Sequence, residues 1–203
     1  MHLIINMEQQ SWRTDAGIIP TAAELSDSSN KNIYWIDWVR VYKPVASNNN
    51  SDNNTNTGSG VTPPSSATSL KLRHSNRCAD LSAGSANNGA KIQQWACGSN
   101  NTNQDFSFVS KGSGWYEIKT KHNKCVGIAG GSTANNAELL QWSCFDNNLF
   151  QFRTVNRGGG WFQLQNRNSN KCLTAQGNGT QNGVKLVQTT CNNNATSQQF
   201  RYQ

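Results

Sequence analysis

The chain has 203 residues, of which 34% are apolar, and its mean hydropathy is −0.71. This length allows one or two domains, and this composition excludes a large aliphatic core. Seven tryptophans and seven phenylalanines predict small cores built around aromatic side chains, since each buries more area than an aliphatic one. The formal net charge is +7, but Lys and Arg occur singly, so we expect no nucleic-acid partner. No apolar run is long enough to span a bilayer, so we expect no membrane partner.

Residues 1–45 contain two strand-like runs, HLIINME at 2–8 and NIYWIDWVRVY at 32–42. Two strands cannot form a stable domain alone in water, so we expect them to belong to a larger domain. The start of the chain has neither the basic residues nor the small-residue cleavage site of a secretion signal. This also predicts that the chain is the C-terminal part of a longer protein.

The segment DWVRVYKP at 37–44 resembles the C-terminal end of a glycoside hydrolase family 16 catalytic domain, and INMEQQSWRT at 5–14 is similar to its agarase-like members. The resemblance implies a secreted parent hydrolase that is endo-acting on an agar-type galactan. That family's catalytic Glu-x-Asp-x-x-Glu segment is absent here, and Glu8 has no partner carboxylate at the required spacing. We therefore expect that this chain is not an enzyme by itself.

Residues 46–66, ASNNNSDNNTNTGSGVTPPSS, contain almost no apolar side chains. Such a composition is typical of a flexible linker, which as a random coil spans about 25 Å from end to end. The sequence therefore predicts three segments: 1–45 as the end of a hydrolase domain, 46–66 as a linker, and 67–203 as a separate domain. The last segment carries fourteen Lys and Arg against five Asp and Glu, a net charge of +9.

Six cysteines divide the last segment with spacings that alternate between 19 and 28 residues, which gives a repeat period of 47. This regularity favours one disulfide within each repeat over the other connectivities that six cysteines permit, and free buried thiols are the alternative. CxxC and Cys/His ligand spacings are absent, so we expect no metal and no cofactor. Disulfides indicate an oxidising compartment, so we expect a secreted, extracellular protein. The predicted pairs are Cys78–Cys97, Cys125–Cys144 and Cys172–Cys191.

Each repeat has the pattern of short strands and turns, and no segment shows helical periodicity, so the predicted fold class is all-β. Ile92, Leu139 and Leu186 occupy corresponding positions before the second cysteine, after clusters of turn-forming Asn and Gly. Three repeats of about four strands favour a closed threefold barrel, because an open stack would need capping segments. Two aromatic residues on one strand face follow each cysteine pair: Phe106 and Phe108, Phe150 and Phe152, Phe200 and Tyr202.

The last segment resembles a ricin-B-type β-trefoil lectin, carbohydrate-binding module family 13. The resemblance is carried by the cysteine pairs, the endings QQWAC and LQWSC, and a weakened Gln-x-Trp motif after each pair. That motif reads QDF at 104–106, QQF at 198–200 and, in the middle repeat, NLF at 148–150. Phenylalanine can fill the core position of the tryptophan. The resemblance implies a monomeric β-trefoil over 67–203 with a polysaccharide or oligosaccharide as its partner.

The first repeat has the side chains that sugar binding needs, namely hydrogen-bonding groups for hydroxyls and an aromatic ring for the apolar face of a sugar. By resemblance, Asp80 would bind a pair of hydroxyls and Trp95 would stack on the ring. The alternative places Trp95 in the core and leaves Asp80 to cap a turn. The predicted polar rim consists of Gln93, Asn103 and Gln104, with Asn88 as a further candidate.

The second repeat keeps Trp142 but has Gly127 and Leu140 in place of the aspartate and the glutamine. It could bind only through Trp142, with an amide from Asn135, Asn136 or Asn148. The third repeat is predicted not to bind, because its corresponding residues are Thr174, Val187 and Thr189.

These features predict a carbohydrate-binding module that targets an appended β-agarase-like hydrolase to a galactose-containing polysaccharide. One alternative is a glycosidase in its own right. Another is a trefoil that binds sulfated polymers or proteins through its basic surface, and moderate salt would abolish that binding but not stacking on Trp95. Catalysis within 67–203 is disfavoured, because its acids are spread singly and its histidines do not group with Ser, Cys or Asp.

Overall fold

A computed structural model describes residues 60–203. The predictions for residues 1–45, and for all but the end of the linker, lie outside the described residues. The described part consists of short strands and single 3-10 turns, which confirms the prediction of an all-β fold. No helical turn in residues 60–203 has the length and apolar character needed to cross a membrane.

Residues 60–203 contain twelve strands, four in each repeat, and all the pairings between them are antiparallel. The first repeat contains β1 (Leu70–Leu72), β2 (Cys78–Leu81), β3 (Ile92–Trp95) and β4 (Ser107–Ser110). The second contains β5 (Tyr116–Lys119), β6 (Cys125–Ile128), β7 (Leu139–Trp142) and β8 (Gln151–Asn156). The third contains β9 (Phe162–Asn166), β10 (Cys172–Ala175), β11 (Leu186–Thr189) and β12 (Phe200–Tyr202).

Six of these strands close into a barrel. β1 pairs with β12, and the ladder continues through β9, β8 and β5 to β4. A bridge between Thr68 and Phe106 joins the two ends of this order, and the amide N of each residue donates to the carbonyl O of the other at 2.9 and 3.0 Å. Closure leaves the barrel without an open sheet edge, which protects it from pairing with other chains.

The other six strands form three hairpins, β2–β3, β6–β7 and β10–β11. Isolated bridges join each hairpin to the next, so that the three meet around a pseudo-threefold axis. Ile92, Leu139 and Leu186 lie in these hairpins with at most 2% exposure, so the corresponding apolar positions seen in the sequence are core positions. The largest fully buried side chains are the phenylalanines Phe106, Phe152, Phe162 and Phe200, and leucine and isoleucine side chains fill much of the remaining core.

One ion-pair cluster links all three repeats at this axis. Lys91, Glu138 and Lys185 occupy corresponding positions, one in each repeat. The Glu138 carboxylate accepts from Lys185 Nζ and lies 3.2 Å from Lys91 Nζ. The hydrogen bond from Lys185, with a further contribution from Lys91, lowers the pKa of the Glu138 carboxyl from its ordinary value.

Three buried glutamines also join neighbouring repeats. Gln94 Nε2 donates to the carbonyl oxygens of Gly179 and Gln181 at 2.8 and 2.9 Å, and Gln94 Oε1 accepts from Ser75 Oγ at 2.8 Å. Gln141 and Gln188 make the corresponding contacts in the other two repeats. All three side chains are fully buried, so these bonds satisfy polar groups that would otherwise be costly to bury.

The three predicted disulfides are confirmed. Cys78 is bonded to Cys97, Cys125 to Cys144 and Cys172 to Cys191, and no free cysteine occurs in residues 60–203. Each bridge staples the first strand of a hairpin to the segment just after its second strand. In the chain-entropy model, a disulfide that closes a loop of this size stabilises the fold by roughly 3 kcal/mol.

One prediction about the middle repeat is wrong. The 3-10 turn before the fourth strand ends at Gln104 in the first repeat and at Gln198 in the third, but at Phe150 in the second. The segment FQF at 150–152 therefore corresponds to QDF and QQF, and NLF at 148–150 does not. The mismatch arises because this repeat has phenylalanine where the others have glutamine, so the motif aligns on the wrong aromatic residue.

Candidate functional site

The first hairpin brings an acid, an amide and an aromatic ring onto one face. In the register of β2 and β3, Asp80 lies opposite Gln93 and Cys78 lies opposite Trp95. Opposite residues in an antiparallel pair share a face, and so do residues two apart along a strand. Asp80, Gln93 and Trp95 therefore all point to the same side of this hairpin.

Asp80 is only 4% exposed, and three side-chain amides surround its carboxylate. Gln93 Nε2 donates to Oδ1 at 3.3 Å, and Gln104 Nε2 donates to Oδ2 at 3.1 Å. Asn101 Nδ2 lies 3.5 Å from Oδ2. Burying a carboxylate requires such donors. Asp80 thus forms the fixed base of the site, and its partners within residues 60–203 are side chains, not the backbone amides of a turn.

Above Asp80 lies an open recess. It brings together four predicted residues: Asp80, Gln93, Trp95 and Asn103. It also includes three residues that the sequence predictions missed: Ser82, Ala83 and Asn101. Asn101 could have been found from its spacing to Asn103, because its Oδ1 accepts from the Asn103 amide N at 3.2 Å in a local turn.

Ala83 could also have been found from the sequence, because the other two repeats have glycine at its position. Its φ is +55°, and the corresponding positions in the other repeats are Gly130 and Gly177, both with φ of +60°. Left-handed backbone costs glycine little but is unfavourable for alanine. Residues held in an unfavourable backbone conformation are concentrated at functional sites. The first repeat is therefore the one with a residue other than glycine at this position of the turn.

Gln104 does not lie in the rim. Its side chain is 1% exposed behind Asp80, where Nε2 also donates to the Ala96 carbonyl O at 2.9 Å and Oε1 accepts from the Gly98 amide N at 3.1 Å. Gln198 makes the corresponding contacts in the third repeat, where no aspartate is present. Gln104 therefore positions Asp80 from below.

Asn88 lies away from the recess, beside the second repeat. Its Nδ2 donates to Ser143 Oγ at 3.1 Å, and its Oδ1 accepts from Lys124 Nζ at 2.7 Å. Asn182 of the third repeat is the asparagine that approaches the first hairpin, where its Oδ1 accepts from the Ala96 amide N at 2.8 Å. Each of these loops therefore crosses to the next repeat, which sequence spacing within one repeat cannot indicate.

The Trp95 ring forms one wall of the recess and is not a core side chain. The residue is 43% exposed. A Cβ atom placed on Gly183 would lie 3.7 Å from Trp95 Cζ3, so the backbone of the third repeat supports the edge of the ring. An exposed indole with a supported edge offers a flat apolar surface beside a polar floor, which suits stacking of a ring-shaped ligand.

The second repeat fills the same space differently. Gly127 corresponds to Asp80, and Phe150 corresponds to Gln104. A Cβ placed on Gly127 would lie only 2.6 Å from Phe150 Cδ1, so the phenyl ring occupies the space of the missing side chain. This exchange replaces a hydrogen-bonded polar pair with an apolar plug.

Trp142 is 42% exposed, like its counterpart in the first repeat, but it lacks the polar floor. Asn135, one of the amides proposed to support it, lies elsewhere. Its Oδ1 accepts from the amide N and Oγ1 of Thr190 in the third repeat, at 3.0 and 3.4 Å. The amide that does approach the Trp142 neighbourhood is Asn88, through Ser143.

The third repeat has neither the aspartate nor the exposed tryptophan. Thr174 is 5% exposed, and its Oγ1 lies 3.3 Å from both Ser197 O and Ser197 Oγ. Thr189 replaces the tryptophan, and its Oγ1 accepts from Gln198 Nε2 at 2.8 Å. Both hydroxyls are therefore engaged within the protein. Within residues 60–203, no group of three or more His, Cys, Asp or Glu side chains could hold a metal ion.

A closed threefold barrel with a polar and aromatic recess on one hairpin defines the class of sugar-binding trefoils. A family model for the ricin-type beta-trefoil lectin domain matches residues 66–200, about two thirds of the chain. The chain belongs to this family, which confirms the resemblance seen in the cysteine and glutamine patterns.

Two curated relatives are agarases. The chain is 43% identical over 119 residues to beta-agarase AgaB34 of Agarivorans albus, which covers 59% of this chain and 25% of that protein. It is 62% identical over 50 residues to beta-agarase AgaA of Microbulbifer thermotolerans, which covers 25% of this chain and 11% of that protein. The chain thus spans a quarter or less of the length of these relatives.

One similar solved structure is a designed threefold-symmetric protein, ThreeFoil. It is 28% identical to this chain with a TM-score of 0.64, and the match covers 67% of this chain and 96% of that one. A protein built from three equal copies thus has the same fold as this chain, whose three repeats have diverged.

Proposed function

We propose that residues 67–203 form a carbohydrate-binding module with one main sugar site, the recess of the first repeat. The observation that carries this proposal is the position of Asp80 at the floor beside the exposed ring of Trp95. A sugar residue stacked on Trp95 would place its hydroxyls toward Asp80 and Gln93. Asn103 and Asn101 would complete the contacts at the side, and Trp142 would provide at most a weak second site.

The proposed ligand is a galactose-containing polysaccharide of the agar type, bound by a monomer. Similarity to two beta-agarases, one over 59% and the other over 25% of this chain, supports this choice. In this proposal residues 1–45 are the end of a glycoside hydrolase domain, residues 46–66 are the linker, and the parent protein is a secreted, endo-acting agarase. The three disulfides suit such an extracellular location.

The test is affinity electrophoresis of the 203-residue protein through native gels with and without agarose. We expect the agarose to retard the parent protein, and Trp95→Ala or Asp80→Asn to abolish the retardation. Trp142→Ala is the matched control, because it removes an equally exposed indole from the corresponding strand. Near-parental retardation of both first-repeat variants would place the site elsewhere and refute the assignment.

A second candidate function, binding of sulfated polymers through the basic surface, is favoured by two pairs of arginines that lie in or just after the barrel strands. The guanidinium carbons of Arg153 and Arg167 lie 5.1 and 5.2 Å from the ring centroid of Trp115. Trp161 is approached in the same way by two other arginines. A stacked guanidinium keeps N–H groups for anions. Retardation that disappears in about 0.5 M salt would favour this candidate, because such salt screens exposed charges.

A further inference from the structure

The first recess is completed by a loop of the second repeat. His122 Nε2 lies 2.9 Å from the carbonyl O of Gly84, in the turn that forms one wall. Beside this turn, Lys121 Nζ donates to Asn103 Oδ1 at 2.7 Å and lies 3.4 Å from Thr102 Oγ1. One exposed lysine therefore stands at the edge of the recess, although it lies outside the repeat that forms the floor.

Lys121 fixes the direction of the Asn103 amide. An ammonium group can only donate, so the Asn103 atom that faces it is the carbonyl Oδ1. Asn103 is one of the residues that line the recess, and its Nδ2 group, which does not face the lysine, remains a donor for a ligand. The outer edge of the recess thus presents donors, from Asn103 Nδ2 and the Lys121 ammonium.

The floor has the opposite polarity. Asp80 contributes carboxylate oxygens, and Gln93 uses its Nε2 to bind Asp80, which leaves its Oε1 as an acceptor. The carboxylate is buried and held by amides, whereas Lys121 is exposed and forms no salt bridge among the described residues. A ligand that matches both ends has hydroxyl donors toward the floor and an acceptor, or a negative charge, toward the edge.

The other two repeats lack this cation. The residue four positions before the first cysteine is Lys121 in the second repeat, Asn168 in the third and His74 in the first. Asn168 and His74 contact backbone carbonyls of the neighbouring turns, at 3.2 and 2.9 Å. In the second repeat His122 makes that contact instead, which leaves Lys121 to reach Asn103.

We propose that Lys121 is a specificity-determining residue that makes the first recess prefer galactan residues bearing an anionic substituent, such as a sulfate ester, over neutral ones. This proposal deepens the proposed function and depends on it. The ammonium would pair with the substituent at the edge while Asp80 and Gln93 bind hydroxyls at the floor. An exposed ion pair of this kind corresponds to about a two- to fivefold gain in affinity.

The experiment measures dissociation constants of the 203-residue protein by titration calorimetry at low salt. The probes are a neutral agarose oligosaccharide and a galactan oligosaccharide of equal length with one sulfate ester per disaccharide. We expect the parent to bind the sulfated probe about two- to fivefold more tightly, Lys121→Gln to bind both equally, and Lys121→Arg to keep the preference. Lys171→Gln is the matched control, because it removes the same charge from the corresponding loop of the third repeat.

Two results would overturn the proposal while leaving the proposed function intact. The parent could bind both probes with the same affinity, or Lys121→Gln could retain the full preference for the sulfated probe. A preference lost equally in Lys171→Gln would also overturn it, since the effect would then come from net charge. Failure of the parent to bind either probe would refute the proposed function and this proposal together.

Discussion

The first and second repeats share a hairpin register, a disulfide and a half-exposed tryptophan, yet only the first has a polar recess. In the first, Asp80 and Gln104 form a buried hydrogen-bonded pair. In the second, Gly127 and Phe150 occupy the same two positions in close contact. Both pairs fill the space above the barrel, one with polar atoms and the other with a ring.

This comparison shows that the side chain at each of the two positions restricts what can occupy the other. A buried carboxylate needs its amide partner, and a phenyl ring at the partner position needs a glycine in front of it. The third repeat keeps the glutamine, as Gln198, which donates to Thr189 Oγ1. Its Thr174, at the aspartate position, is hydrogen-bonded to Ser197. The fold therefore accepts three different pairs of side chains at these two positions. Only the pair of the first repeat leaves hydrogen-bonding groups for a ligand.

The largest expected effect comes from placing the glycine and phenylalanine of the second repeat at the corresponding positions of the first repeat. We expect the double variant Asp80→Gly with Gln104→Phe to remain folded but to lose at least about a hundredfold in affinity for agarose oligosaccharide. The reason is the loss of hydrogen bonds to a charged group, each of which contributes roughly 1.5–3 kcal/mol. Titration calorimetry measures the affinity. An unaltered affinity would show that the polar pair does not bind sugar.

The next effect tests the fit of the apolar plug. Gly127→Ala places a methyl group against the Phe150 ring, and we expect it to destabilise the protein by about 1–3 kcal/mol through overpacking. Denaturant unfolding with the disulfides intact measures this change. Adding Phe150→Leu, which removes the obstructing ring edge, should recover part of the loss, whereas strict additivity of the two changes would contradict the proposed contact.

A third test concerns what the repeats share. Gln94→Leu, Gln141→Leu and Gln188→Leu should each cost about 1–3 kcal/mol, because each removes the hydrogen bonds that a fully buried amide makes to backbone carbonyls of a neighbouring repeat. The measurement is again denaturant unfolding. We expect the three costs to be similar, in contrast to the pocket variants. A cost confined to one repeat would mean that the glutamine contacts are not equivalent.

The smallest effect lies at the pseudo-threefold axis and depends on pH. Because the pKa of Glu138 is lowered in the folded protein, its ion pairs stabilise the fold above the ordinary glutamate pKa, and this contribution is lost as the pH falls through the lower folded value. We expect Glu138→Gln to be less stable than the parent at pH 7 by less than about 1 kcal/mol. In thermal unfolding the difference should shrink as the pH falls below the ordinary glutamate pKa of about 4.3 and vanish below the lowered folded value. A difference that does not shrink over this range would contradict the ion-pair account.

Much of the fold could be predicted because its signals are local and repeated. The constant spacing within each cysteine pair predicted the disulfides, and Ile92, Leu139 and Leu186 marked corresponding apolar positions in the three repeats. Asp80, Gln93 and Trp95 could also be predicted to lie together, since they lie on two paired strands. The motif of the middle repeat was misplaced because Phe150 and Phe152 are both plausible matches, and only the position of the 3-10 turn distinguishes them.

By itself, the sequence determined the period of 47 residues, the cysteine pairs, the all-β class and the one repeat that has both an aspartate and a tryptophan. Only the tertiary structure decided which loops serve which recess. Closure of the barrel brings Lys121 to the first recess and moves Asn88 to the second repeat. These contacts join residues of different repeats, so they depend on how the strands close around the barrel, and no spacing within one repeat contains that information.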